Sequence, residues 1–160
     1  MKNVRTNVAR LLEAAGIVCV EHRYDIADGA IDAVSVARKL GEPVEQVFKT
    51  LVTVGASRNH YVFVIPVMRE LDLKKAAKAA GEKSVAMIRQ KDLLPLTGYV
   101  HGGCSPVGMK KAFPTFIHES AEKEDQIFVS AGKVGFQVGV NPKDLSVLVR
   151  FAWADLTAGG

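Results

Sequence analysis

Val47-Phe48-Lys49-Thr50-Leu51-Val52-Thr53-Val54 and His60-Tyr61-Val62-Phe63-Val64-Ile65-Pro66-Val67 flank five turn residues, Gly55-Ala56-Ser57-Arg58-Asn59. β-Branched and aromatic side chains dominate both flanks, and a short Gly- and Asn-containing joint between two such runs signals a β-hairpin. The second run is almost continuously apolar, as expected of a central strand. Lys49 interrupts the first, placing an ammonium among residues that should be half buried. Desolvation of such a group lowers its pKa and strengthens its field on an anion or a polarised carbonyl, although an edge-strand lysine snorkelling to water fits the same pattern.

On the amino-terminal side, Val4, Val8, Leu11, Leu12 and Ala15 recur at helical spacing and Gly16 supplies a stop, so a first amphipathic helix is predicted. Ile17 to Tyr24 reads as a strand with Val18, Val20, His22 and Tyr24 on one side. After the turn at Asp28-Gly29, Ile31, Val34, Ala37 and Leu40 give a second helix that ends before Gly41 and Pro43.

On the carboxyl-terminal side, Leu71 to Ala80 predicts a third helix with outward lysines, stopped by Gly81. Ser84 to Ile88 makes a short strand, and Lys91-Asp92-Leu93-Leu94-Pro95 a helical turn that proline terminates. Thr115 to His118, Gln126 to Ser130 and Gly135 to Val140 are three more strands, the last two joined by Ala131-Gly132-Lys133. Asn141 caps a final helix, Pro142 to Val149. About seven strands and four helices with hairpin-like joints argue an α+β fold: one domain over residues 1–160, its mixed sheet curling into a partial barrel with flanking helices. No G-x-G-x-x-G follows the first strand, which disfavours a dinucleotide-binding fold.

The 160 residues are 48% hydrophobic and 24% charged, the balance of a globular protein. Lys and Arg number 21 against 17 Asp and Glu, and the net +4 favours an anionic partner. Residues 69 to 92 concentrate that excess, with Arg69, Lys74, Lys75, Lys78, Lys83, Arg89 and Lys91, though a solvated helix face explains any one of them. Met1 to Arg5 lacks the apolar run of a signal peptide, and the longest apolar stretch, Tyr61 to Met68, is too short to span a bilayer. Cys19 and Cys104 make no disulfide framework, so a reduced, cytoplasmic protein is expected.

Gly102-Gly103-Cys104-Ser105-Pro106-Val107-Gly108, followed by Met109-Lys110-Lys111, is the second feature of note. Paired glycines permit φ > 0 and bring backbone N–H groups close to a ligand, and a plain glycine turn uses the same residues. A phosphate-binding P-loop fails on detail, because Met109 stands where lysine should follow the second glycine. Cys104 suggests a nucleophile with His101 as base, but sequence proximity gives no hydrogen-bond geometry and isolated cysteines commonly serve as small core residues. His22, His60, His101 and His118 show no metal-ligand spacing, and no metal is expected. Ser130 and Gly132 are small residues at a strand end, suited to a ligand or to an ordinary turn.

Phe48-Lys49-Thr50-Leu51, the long Gly102 to Lys111 segment and Ser130-Ala131-Gly132-Lys133, in that order, resemble the YbaK/EbsC family of aminoacyl-tRNA deacylases. The chain is most similar to the Cys-tRNA(Pro) deacylase branch and more distantly to the editing domain of bacterial prolyl-tRNA synthetases. The resemblance implies trans-editing of cysteine from proline tRNA without metal or cofactor, the aminoacyl-tRNA acceptor end as partner, and a complex with prolyl-tRNA synthetase. It implies further that Lys49 is the central residue, that Tyr24 and Thr50 line the pocket, and that Gly102 and Gly103 present backbone groups to the substrate. Ser105 belongs to the same loop, and Ser130 and Gly132 would close the other wall. Where relatives commonly carry Arg-Gly-Leu-Asp, this chain has Val134-Gly135-Phe136-Gln137, so a neutral amide at Gln137 replaces an acid and could shift specificity among small amino acids. Editing of alanine or serine, or a non-catalytic tRNA- or nucleotide-binding module, are the alternatives.

Overall fold

The computed structural model describes residues 6–30 and 32–159; Met1 to Arg5, with Val4 of the first helical pattern, and Ile31 of the second lie outside the described residues. Helix α1 (Asn7–Ala14) starts at Thr6, whose side chain accepts the Ala9 N–H at 3.1 Å, and buries Val8, Ala9 and Leu12. Strand β1 (Cys19–Arg23) follows. Its expected face divides, because Val18 and Val20 are exposed while Tyr24 is buried. Helix α2 (Ala33–Leu40), capped by Asp32 and ended by left-handed Gly41, buries Val36 and Ala37 and leaves Val34 exposed.

Strands β2 (Phe48–Gly55) and β3 (His60–Pro66) form the predicted antiparallel hairpin, with Phe48 opposite Pro66 and Val54 opposite His60. Helix α3 (Leu73–Ala80) and strand β4 (Val85–Met87) come next. Helix α4 (Gln90–Thr97) contains Pro95 instead of stopping there. Proline removes one N–H from the ladder, but Thr97 Oγ1 donates to the Leu93 carbonyl at 2.8 Å and Gly98 N–H to that of Leu94 at 2.9 Å, which holds the last turn together. Strands β5 (Thr115–His118), β6 (Ile127–Ser130) and β7 (Phe136–Val140) match their patterns. The final predicted helix is a 3₁₀ segment, Pro142–Val147, and an unpredicted strand β8 (Phe151–Ala154) pairs in parallel with β5.

The α+β class and mixed pairing hold, but the eight strands among the described residues form two sheets, β1-β7-β6 and β4-β2-β3-β5-β8. One isolated parallel bridge, Val47 with Phe128, links them. Alternation along β2 and β3 separates two cores. Phe48, Val52, Val62 and Val64 join the inner faces of α1, β6 and β7, while Phe63 and Ile65 pack under Ala76 and Ala77 of α3. Strand β4 covers the outer edge of β2 only from Thr53 to Gly55, so β4 leaves that edge open beside Phe48–Leu51.

Candidate active site

A cleft of about 170 Å³ lies at this end of β2. The edge of β2 supplies Lys49 and Thr50, β1 leads into it with Tyr24, and Ser130 and Gln137 enter from the three-stranded sheet. Ser130 and Gln137 are register partners on adjacent strands, so their side chains leave the same face. His101, Gly102 and Cys104 of the glycine loop also line it, as do Asp32 and Val36 at the start of α2 and Leu93 of α4.

Lys49 is half-buried at this edge. The neighbouring polar groups are in an unusual state. Among the described residues, Thr50 Oγ1, Ser120 Oγ and Gln137 Oε1 are buried side-chain oxygens with no hydrogen-bond partner, and two of the three belong to residues lining the cleft. An unpartnered buried oxygen costs about 1–3 kcal/mol, a penalty that a ligand donating to it would relieve. Asp32 carries a carboxylate held below the usual range by the Ser35 hydroxyl and then the Ser35 N–H.

Cys104 is of a different character. It is buried, and burial pushes its thiol up to about 12, with a smaller opposing effect from the Thr97 hydroxyl. A thiol so disposed is a packing group at neutral pH. His101, the residue that the sequence offers as its base, also lines the cleft, but it is exposed and has no hydrogen bond to the thiol among the described residues.

Gly102 reaches the cleft on a loop that Gly103 and Ser105 hold in place, and Gly132 stands apart from it. Gly102 takes the left-handed conformation, φ 87°, and the Gly103 N–H donates to the Val100 carbonyl at 2.9 Å, closing the loop on itself. A Cβ at Gly103 would lie 3.1 Å from the Val134 nitrogen, so glycine here lets the loop seat directly on the 133–134 backbone. Ser105 is fully buried and its Oγ accepts the Val107 N–H at 3.2 Å. Gly132 lies against Tyr99 and Val8 and lines a separate cavity near the start of α1. No local pattern marks Asp32, Val36 or Leu93 as cleft residues. Asp32 is legible as a helix cap, a role it also fills.

Among the described residues no group of three His, Cys, Asp or Glu side chains could hold a metal ion, and no helix is long and apolar enough to cross a membrane.

The family model described as the aminoacyl-tRNA editing domain matches residues 28–148, a span that holds every anticipated site residue except Tyr24. The chain is 44% identical over 153 residues, 96% of its own length and 93% of the relative's, to an Enterococcus faecalis (strain ATCC 700802 / V583) protein provisionally named Cys-tRNA(Pro)/Cys-tRNA(Cys) deacylase EbsC. Among solved structures it is similar to one described as a candidate trans-editing enzyme for prolyl tRNA synthetase, with TM-score 0.80, 26% identity, and 98% of this chain and 100% of the other covered. Hypothetical protein APE2540, with TM-score 0.81 and 21% identity over 94% of this chain and 99% of its own, shares the fold. By the extent of these matches, this chain belongs to the aminoacyl-tRNA editing domain family.

Proposed function

We propose that the chain is a cytoplasmic trans-editing aminoacyl-tRNA deacylase that removes cysteine mischarged onto proline tRNA, acting as a single domain over residues 1–160. The observation that carries this reading is the convergence of Lys49, Thr50, Gly102, Ser130 and Gln137 on one small cleft, in a chain 44% identical to a protein named for that activity. Ligand pockets for drug-sized molecules run to roughly 300–1,000 Å³, so a cleft of about 170 Å³ suits a small aminoacyl group. The two sheets act as halves of one curled, partly closed barrel around it.

The Lys49 ammonium and the Gly102 backbone stabilise negative charge developing on the ester carbonyl oxygen, Gly103 and Ser105 hold the loop in place, and Gly132 supports the turn after Ser130. Tyr24, Thr50, Ser130 and Gln137 line the amino-acid side, where the orphaned Thr50 and Gln137 oxygens accept hydrogen bonds from substrate. The attacking group is the substrate's own thiol. Its sulfur bonds to the carbonyl carbon, the ester C–O bond breaks, the thiol proton passes to the departing ribose oxygen, and the amino acid leaves as a cyclic thiolactone. A pocket of this size reads the amino acid and not the tRNA, so tRNA choice comes from a complex with prolyl-tRNA synthetase. Incubating the protein with proline tRNA charged with cysteine, alanine or serine tests the reading. Cysteine should be released fastest, and failure on all three with tRNA binding intact would make this a binding module instead.

A further inference from the structure

The glycine loop has a second flank. Cys104 lines the cleft, and Pro106, two residues on and so no more than about 7 Å away, lines a larger groove of about 670 Å³. Phe113 and Phe151 contribute rings to this groove, and Phe151 is braced edge-on by Trp153 at 4.9 Å between centroids. Among the described residues, Lys111 and Arg150 are the two charged residues on it, both exposed, and no carboxylate lines it. Neither cation is paired with a carboxylate among the described residues.

Aromatic faces beside unpaired cations, with no acid among them, form the composition that holds single-stranded nucleic acid: bases stack on the rings and the cations neutralise phosphates. An apolar protein surface would bury both cations without partners, at a desolvation cost. A duplex offers phosphates but keeps its base faces stacked on one another. Resting on the reading of the cleft as the seat of the aminoacyl ester, we infer that this groove binds the unpaired nucleotides of the tRNA acceptor end that precede the aminoacylated ribose.

The test uses an uncharged, fluorescently labelled single-stranded RNA of acceptor-end sequence, followed by anisotropy, and needs no turnover. Lys111→Glu/Arg150→Glu should weaken binding at least tenfold and reduce the slope of log affinity against log salt by about 1.4, from about 0.7 for each of two phosphates no longer neutralised. Phe151→Ala should weaken it roughly five- to hundredfold at unchanged slope, the loss of one stacked base. Should Phe151→Ala not fold, the surface charge variant decides alone. Undiminished RNA binding by the charge variant, no binding by the wild type, or equal displacement of the probe by duplex RNA or polyglutamate would overturn the inference. Failure of the deacylase reading would show separately, as normal binding of this probe by a protein that leaves cysteinyl-tRNA(Pro) intact.

Discussion

The two walls of the cleft offer different chemistry. The β2 wall presents Lys49 at a half-buried edge and the unpartnered Thr50 hydroxyl, groups kept in a state that a ligand would improve. The loop wall presents Cys104, a nominally stronger nucleophile, but buries it and pushes its thiol up to about 12. Two polar groups of its loop are also spent internally, Gly103 N–H on the Val100 carbonyl and Ser105 Oγ on the Val107 N–H. Reactive residue types therefore do not locate chemistry by themselves. A group committed to packing or to a loop's own hydrogen bonds shapes the site, whereas a group left unsatisfied at its edge is available to substrate.

If the β2 wall carries the chemistry, Lys49→Ala should lower the single-turnover rate of cysteinyl-tRNA(Pro) cleavage on the order of 100- to 1,000-fold, the usual cost of removing one preorganised donor to an oxyanion. A near-normal rate would break the distinction between the walls.

Thr50→Val sharpens it. Removing an orphaned buried hydroxyl should leave the melting temperature unchanged or raise it, while loss of one substrate hydrogen bond should raise KM roughly two- to tenfold. Reduced stability with unchanged KM would mean that the hydroxyl serves the fold.

Acid should act away from both walls. His118, the last residue of β5, is buried, and its Nδ1 accepts the Leu156 N–H at 3.1 Å. Burial, and then the Arg69 charge, hold its pKa below the ordinary 6.5. Because the unfolded chain binds this proton more readily, the stability it contributes is complete above about pH 6.5 and is lost as pH falls below that, by at most about 1.4 kcal/mol per pH unit. Urea melts from pH 8 to 5 should show this decline, and His118→Gln should flatten it.

The hairpin is legible because β2 and β3 carry their signal within a few residues of each other, and so is the order of the site motifs. What the sequence hides depends on distant partners. Strand β8 is four residues, two of them alanine, and becomes a strand through pairing with β5, more than thirty residues away in the chain. No local pattern announces the division into two sheets or the Val47–Phe128 bridge that links them. Pro95 reads as a stop because the Thr97 and Gly98 hydrogen bonds that compensate for it lie downstream. At the cleft, Lys49 stands out as a charge inside an apolar run. Asp32 does not, since a helix cap already explains it, and the burial of Cys104 emerges only when loop, α4 and β-sheet meet.

The most direct measurement is the single-turnover cleavage of cysteinyl-tRNA(Pro) by Cys104→Ser, with intact-protein mass recorded for the wild type during turnover. A substrate thiol that attacks its own ester makes the protein thiol redundant, so the variant should react within a small factor of the wild type and the wild-type mass should not change. Loss of activity in a folded Cys104→Ser protein, or a covalent cysteinyl adduct on Cys104, would contradict the account and place the chemistry on the loop wall.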